Sequence, residues 1–126
     1  MGNNKILGAF GEGLACEYLA ESDYRVLERN FSCKVGEIDI IALQNDTVVF
    51  VEVKTRSSEK YGLPSEAVSA AKQKKIVKTA LYYLQTNKLL DYMCRFDVIE
   101  ILVDAENKYQ INLIKDAFQY SGRYGY

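Results

Sequence analysis

Gly36-Glu37-Ile38-Asp39-Ile40-Ile41-Ala42 and Val48-Val49-Phe50-Val51-Glu52-Val53-Lys54-Thr55 are two β-branched runs separated by Gln44-Asn45-Asp46-Thr47. Both read as strands and the separator reads as a turn, so the pair is an antiparallel hairpin. A two-residue turn at Asn45-Asp46 makes the numbers of opposed residues sum to a constant. Asp39 then falls opposite Glu52, and Glu37 opposite Lys54, with opposed Cβ atoms roughly 5 Å apart. Alternation puts Glu37, Asp39 and Ile41 on one face and Phe50, Glu52 and Lys54 on the same side, while Val49, Val51 and Val53 form a core row. A different turn length would turn direct pairs into diagonal ones; the clustering survives a two-residue shift, whereas a one-residue slip would put the valines on the wrong face.

The pattern extends in both directions. Lys5 to Ser22 has the spacing of a helix, with Leu7, Phe10, Leu14 and Tyr18 as its apolar stripe. Gly8, Glu12, Ala15 and Leu19 form the neighbouring row. Arg25 to Phe31 is a candidate first strand. Arg56 to Leu63 is a polar loop, and a long helix is expected over Glu66 to Asn87 with Ser65 as N-cap. Its apolar stripe is Ile76, Val77, Ala80 and Leu84. Arg95 to Val103 and Tyr109 to Ile114 complete the strands. The order α-β-β-β-α-β-β predicts an α/β fold, a central mixed sheet flanked by helices. One domain over residues 1–126 is expected, with the tail from Asp116 to Tyr126 flexible.

Composition removes several function classes. The chain has 126 residues and no His, so His-based nucleophilic catalysis is excluded. A structural zinc site would need all three cysteines, Cys16, Cys33 and Cys94, plus a carboxylate. Their odd number and wide spacing suit reduced thiols and a cytoplasmic location. Cys33, near Gly36, is read as a spectator thiol. No apolar run approaches the ~20 residues of a membrane span, and the start does not resemble a signal-peptide core. A net charge of −1 argues against a protein that coats nucleic acid, leaving local basic patches as the only electrostatic route to one.

Opposed carboxylates repel, and apolar neighbours worsen the conflict. A hard divalent cation would relieve it, because Mg²⁺ takes one or two carboxylates and leaves its other positions to water and phosphate. Lys54, two residues beyond Glu52, could hold an attacking water or stabilise charge on phosphorus. The bland counterpart is a wet strand face carrying a Glu37–Lys54 ion pair.

The two runs, as Gly36-Glu37-Ile38-Asp39-Ile40-Ile41 and Val49-Phe50-Val51-Glu52-Val53-Lys54-Thr55-Arg56, resemble the PD-(D/E)XK nuclease signature. The chain looks most like the YraN family of bacterial proteins, related to archaeal Holliday-junction resolvases. Gly11-Glu12-Gly13-Leu14-Ala15, Tyr61-Gly62-Leu63-Pro64, Lys72 and Arg95-Phe96-Asp97-Val98 extend the resemblance over about Leu7 to Leu113. It implies a restriction-endonuclease-like core. It also implies Mg²⁺ or Mn²⁺ held by Asp39, Glu52 and the Val53 backbone carbonyl, Lys54 as catalytic lysine, and Glu12 completing or bridging the metal site. Ile38 stands where the motif has its proline. The resemblance covers nearly the whole stretch and leads to no expected added recognition domain, which favours structure-selective or weakly specific cleavage as the expectation.

The expected activity is therefore metal-dependent hydrolysis of nucleic acid phosphodiesters, with DNA, including branched DNA, ahead of RNA. The alternatives are a non-cleaving nucleic-acid-binding or assembly module on the same fold, and a structural protein with an ion-pair cluster. Lys72, Lys74, Lys75 and Lys78 wind round the second helix, with Arg56 and Lys60 before it; phosphate contact and an ordinary solvated face are both open for them. Gln73 either points to the hairpin or has a local role near the helix start. Asp97 is expected to order its surroundings. The sheet edge and exposed aromatics leave a homodimer open.

Overall fold

The computed structural model describes residues 2–57, 68–106 and 108–119, with the side chains of residues 2–7 outside the description. Seven elements follow in order: α1 (Gly2–Glu21), β1 (Arg25–Ser32), β2 (Glu37–Gln44), β3 (Thr47–Ser57), α2 (Ala70–Thr86), β4 (Met93–Val103) and β5 (Tyr109–Ile114). The strands form one sheet in the order β1-β2-β3-β4-β5. β3 and β4 are parallel, and the other neighbours are antiparallel. The parallel pair needs a crossover, which α2 supplies. The fold is the α/β arrangement expected of a restriction-endonuclease-like core. Among the described residues no helix is long and apolar enough to cross a membrane.

The β2–β3 register follows the constant sum, with Gln44 opposite Thr47 and Ile40 opposite Val51. Asn45 takes φ 53°, a left-handed conformation that Asn tolerates well. Even-numbered β3 residues Val48 and Phe50 pack with α2, through Ile76, Val77, Ala80, Tyr83 and Leu84. Odd-numbered Val49 and Val51 pack with α1, through Ala15 and Leu19. The sheet is therefore buried on both faces, which explains why β3 reads as a continuous apolar run.

Four expectations are corrected. Of the expected α1 stripe Leu7-Phe10-Leu14-Tyr18, the Leu7 side chain lies outside the description and the other three do not form the sheet-facing row. Gly11, Ala15 and Leu19 face the sheet, whereas Phe10 is 44% exposed. The reason is close approach. A Cβ built on Gly11 would overlap the Thr55 hydroxyl and lie 3.0 Å from the Thr55 Cβ. The helix thus sits on β3 by its small residues, and larger Leu14 and Tyr18 pack at the flank.

The second helix begins at Ala70, with Ser69 as N-cap accepting from the Lys72 amide. Ser65 lies outside the described residues. The expected strict alternation of β2 also fails, because Ile38 and Ile41 both belong to the α2-side core while Ile40 belongs to the α1 side. The slip falls at Asp39, where the β2–β3 ladder ends. Finally, the expected flexible tail is anchored at its start. The Ala117 amide donates to the Phe96 carbonyl at 2.7 Å, and the Phe118 ring stacks on Phe96 with centroids 5.1 Å apart. Residues 120–126 lie outside the described residues.

Candidate metal and nucleic-acid site

The site forms where β2 and β3 part. Beyond Ile40–Val51 no ladder pair continues. The Val53 amide instead donates to Asp39 Oδ2 at 2.8 Å. A side-chain carboxylate thus replaces a strand carbonyl, which satisfies a backbone donor that would otherwise lack a partner. Glu52 precedes Val53, and its largely buried carboxylate lies within hydrogen-bonding reach of Asp39. Desolvation is the main cause that raises the Asp39 carboxyl, and the Glu52 charge adds to it. Together they push it up to about 7, against the opposing Val53 amide. Glu12, on α1 next to Gly11, adds a smaller push in the same direction.

The close Gly11–Thr55 packing fixes where Glu12 enters. Glu12 reaches Asp39 through its field. Among the described residues, no group of three or more His, Cys, Asp or Glu side chains gathers as a metal-holding cluster. The two carboxylates that do meet are hard oxygen donors, a set suited to Mg²⁺ or Mn²⁺ with remaining positions left to water and phosphate.

Lys72 completes this arrangement from α2. Its ammonium pairs with Glu52 Oε2. That contact is the leading cause that raises the Lys72 pKa, with Asp39 and Glu37 adding weaker pulls. Lys72, grouped by sequence with phosphate-contacting residues, is therefore engaged by a candidate metal ligand. Glu37 is exposed and pairs in the ladder with Ser32 of β1. Lys54 has Glu100 as its in-register neighbour on β4.

Glu100 was not singled out from sequence, although an acid inside the run Val98-Ile99-Glu100-Ile101-Leu102-Val103 is a readable signal. It is 7% exposed and lies 3.9 Å from Arg56 Nε, a buried nitrogen with no hydrogen-bond partner. Gln73 donates from Nε2 to the Val68 carbonyl at 2.9 Å, a local contact at the helix start. Lys60 lies outside the described residues. Lys75 is exposed and lines, with Lys72 and Glu37, a cleft of about 600 Å³ between α2 and the β1–β2 connection. Cys33 also lines it.

A second polar cluster sits at the start of β4. Asp97 is fully buried and accepts from Arg95 Nε at 2.9 Å, from the Tyr24 hydroxyl at 3.2 Å and from the Asp116 amide at 2.9 Å. Arg95 also donates to Tyr24 at 2.8 Å and to Gln44 at 2.9 Å. Burial, reinforced by the Asp97 charge, pushes the Tyr24 hydroxyl up to about 12, so it remains a donor. This cluster ties β4 to the ends of α1 and β5 and orders its surroundings.

The family described as "Uncharacterised protein family UPF0102" matches residues 11–101. A UPF0102 protein of Syntrophus aciditrophicus is 52% identical over 119 residues, covering 94% of this chain and 93% of its own. One from Caldicellulosiruptor bescii is 52% identical over 118 residues, covering 92% and 99%. The UPF0102 protein CPE1705 of Clostridium perfringens is 46% identical over 117 residues, covering 92% and 96%. The matched segment contains Glu12, Asp39, Glu52, Lys54 and Lys72, and on these matches the chain belongs to the bacterial UPF0102 (YraN) family.

Proposed function

We propose that the chain is a divalent-metal-dependent nuclease that hydrolyses phosphodiester bonds in nucleic acid, with DNA, including branched DNA, as the expected substrate. The observation that carries this reading is the meeting of Asp39 and Glu52 at the end of the β2–β3 ladder, with Lys54 two residues further along β3. Two carboxylates meet there with a single ammonium, that of Lys72, on one of them, so the pair can take further positive charge.

Asp39 and Glu52 would hold Mg²⁺ or Mn²⁺, with the Val53 carbonyl as a further ligand and Glu12 supporting the site. When bound there, the cation supplies charge neutralisation and Lewis acidity at the phosphate. The Val53 amide holds Asp39 in place. Lys54 carries the positive charge that stabilises a five-coordinate phosphorus or orients the attacking water. Lys72 and Lys75, which line the cleft, and Arg56, two residues beyond Lys54 on β3, would supply cations for the flanking phosphates, contacts that position without reading sequence.

The alternative is a non-cleaving nucleic-acid-binding module. The Lys72–Glu52 ion pair favours it, since an ammonium already compensates one carboxylate. Metal-dependent cleavage of branched, single-stranded and duplex DNA discriminates the two. Asp39→Ala and Lys54→Ala are each expected to lower the rate by about 10²-fold or more. Cleavage unchanged in both variants would sink the nuclease reading.

A further inference from the structure

Glu52 already holds one cation, the Lys72 ammonium. The Lys72 stem is fixed at its base, because its amide donates to the Ser69 N-cap hydroxyl at 3.2 Å. Its side chain is 55% exposed, whereas that of Glu52 is 9% exposed. The lysine can therefore leave without opening the core, and the carboxylate cannot. Lys72 also lines the cleft shared with Lys75, so a released ammonium has open space beside it. Nζ holds Oε2 of Glu52, one of the two oxygens open to a divalent cation between Asp39 and Glu52, and its positive charge repels a cation at the other.

We propose that Lys72 is a tethered counter-cation of the metal site: it occupies Glu52 until a divalent cation displaces it, and the freed ammonium then takes a phosphate of the nucleic acid in the cleft. This rests on the metal-dependent reading above. It reconciles two roles for one side chain. In the metal-free protein Lys72 neutralises Glu52, and in the loaded protein it is the phosphate contact expected from sequence. Metal and nucleic acid then bind with positive coupling, each favouring the state in which Lys72 has left Glu52. The site also stays compensated when empty, which lessens repulsion between Glu52 and Asp39.

Calorimetric titration of Mn²⁺ into the intact protein tests the displacement. Lys72→Met and Lys72→Gln are each expected to bind Mn²⁺ on the order of tenfold more tightly, the weight of one contact to a largely buried carboxylate. Two variants guard against one that folds poorly. In a Lys54→Ala background, polarisation of a fluorescein-labelled DNA duplex reads the second step. Mn²⁺ should tighten binding on the order of tenfold less when Lys72 is also replaced by Met. Affinity for Mn²⁺ that is unchanged or weaker in both Lys72 variants overturns the inference and leaves the metal site standing. A wild-type protein that binds no Mn²⁺, or an Asp39→Asn variant that binds it equally well, overturns the metal reading and this inference together.

Discussion

The Asp39 carboxylate accepts the Val53 amide at 2.8 Å while lying against the Glu52 carboxylate. One side chain thus has a structural bond and an electrostatic conflict. The two can be separated by substitution. Asp39→Asn keeps an oxygen acceptor for Val53 and removes the charge, so in EDTA it should match or exceed wild-type stability, by up to about 1 kcal/mol. Asp39→Ala leaves the Val53 amide without its acceptor and should cost about 1–3 kcal/mol. Urea denaturation of the metal-free proteins measures both. A destabilised Asn variant would mean that the charge itself holds the strands.

The same conflict predicts a pH dependence. The folded-state pKa of Asp39, pushed up to about 7, exceeds the unfolded value of about 4. Between these limits the folded protein binds more protons, so the contribution of Asp39 to stability falls as pH rises from about 4 to about 7. The metal-free wild type should therefore lose melting temperature relative to Asp39→Asn across this window, with the gap widest above pH 7. Thermal melts at pH 5 and pH 8 check the sign. A gap that narrows with rising pH would contradict it.

Gly11 and Thr55 set the distance between α1 and β3. Gly11→Ala should push the helix outward and displace Glu12, costing about 1–3 kcal/mol by overpacking. Thr55→Ala removes the hydroxyl and methyl that the new Cβ would strike, so it should restore part of that loss. A double-mutant cycle followed by denaturant unfolding measures the coupling. Additive losses would show that the helix is held off the sheet by other contacts.

The hairpin was legible because the β3 valines exclude a one-residue slip, and the turn at Asn45-Asp46 selects one register among those that remain. The α1 face was not, because large apolar residues mark where burial is profitable, while Gly11 and Ala15 mark where the backbone can come closest; the close approach decided the orientation. The break in β2 alternation was also hidden. It arises from the Asp39 side chain entering the ladder, and period-two patterning takes no account of side-chain-to-backbone bonds. The acidic pair was visible in the strands. Its partner Lys72 lies on a separate element, and the ion pair depends on how α2 packs over the sheet. Glu100 could have been found, since a buried acid in an apolar strand implies a nearby cation.

Asp97 provides the contrast to Asp39, since its charge is answered on several sides. Its two oxygens accept from Arg95, Tyr24 and the Asp116 amide, and none of these partners is Asp39, Glu52 or Lys54, although Asp97 is the in-register β4 neighbour of Val51 at the end of the β2–β3 ladder. Asp97→Ala would leave Arg95 with a lost partner and Asp116 with an unsatisfied amide, at a cost of about 3–5 kcal/mol. The Mn²⁺ affinity of the protein that remains folded should stay within about twofold of wild type, because no metal-facing group is touched. Denaturation combined with calorimetry at low temperature separates these effects. A large loss of Mn²⁺ affinity in the folded fraction would place Asp97 in the metal site rather than in the scaffold around it.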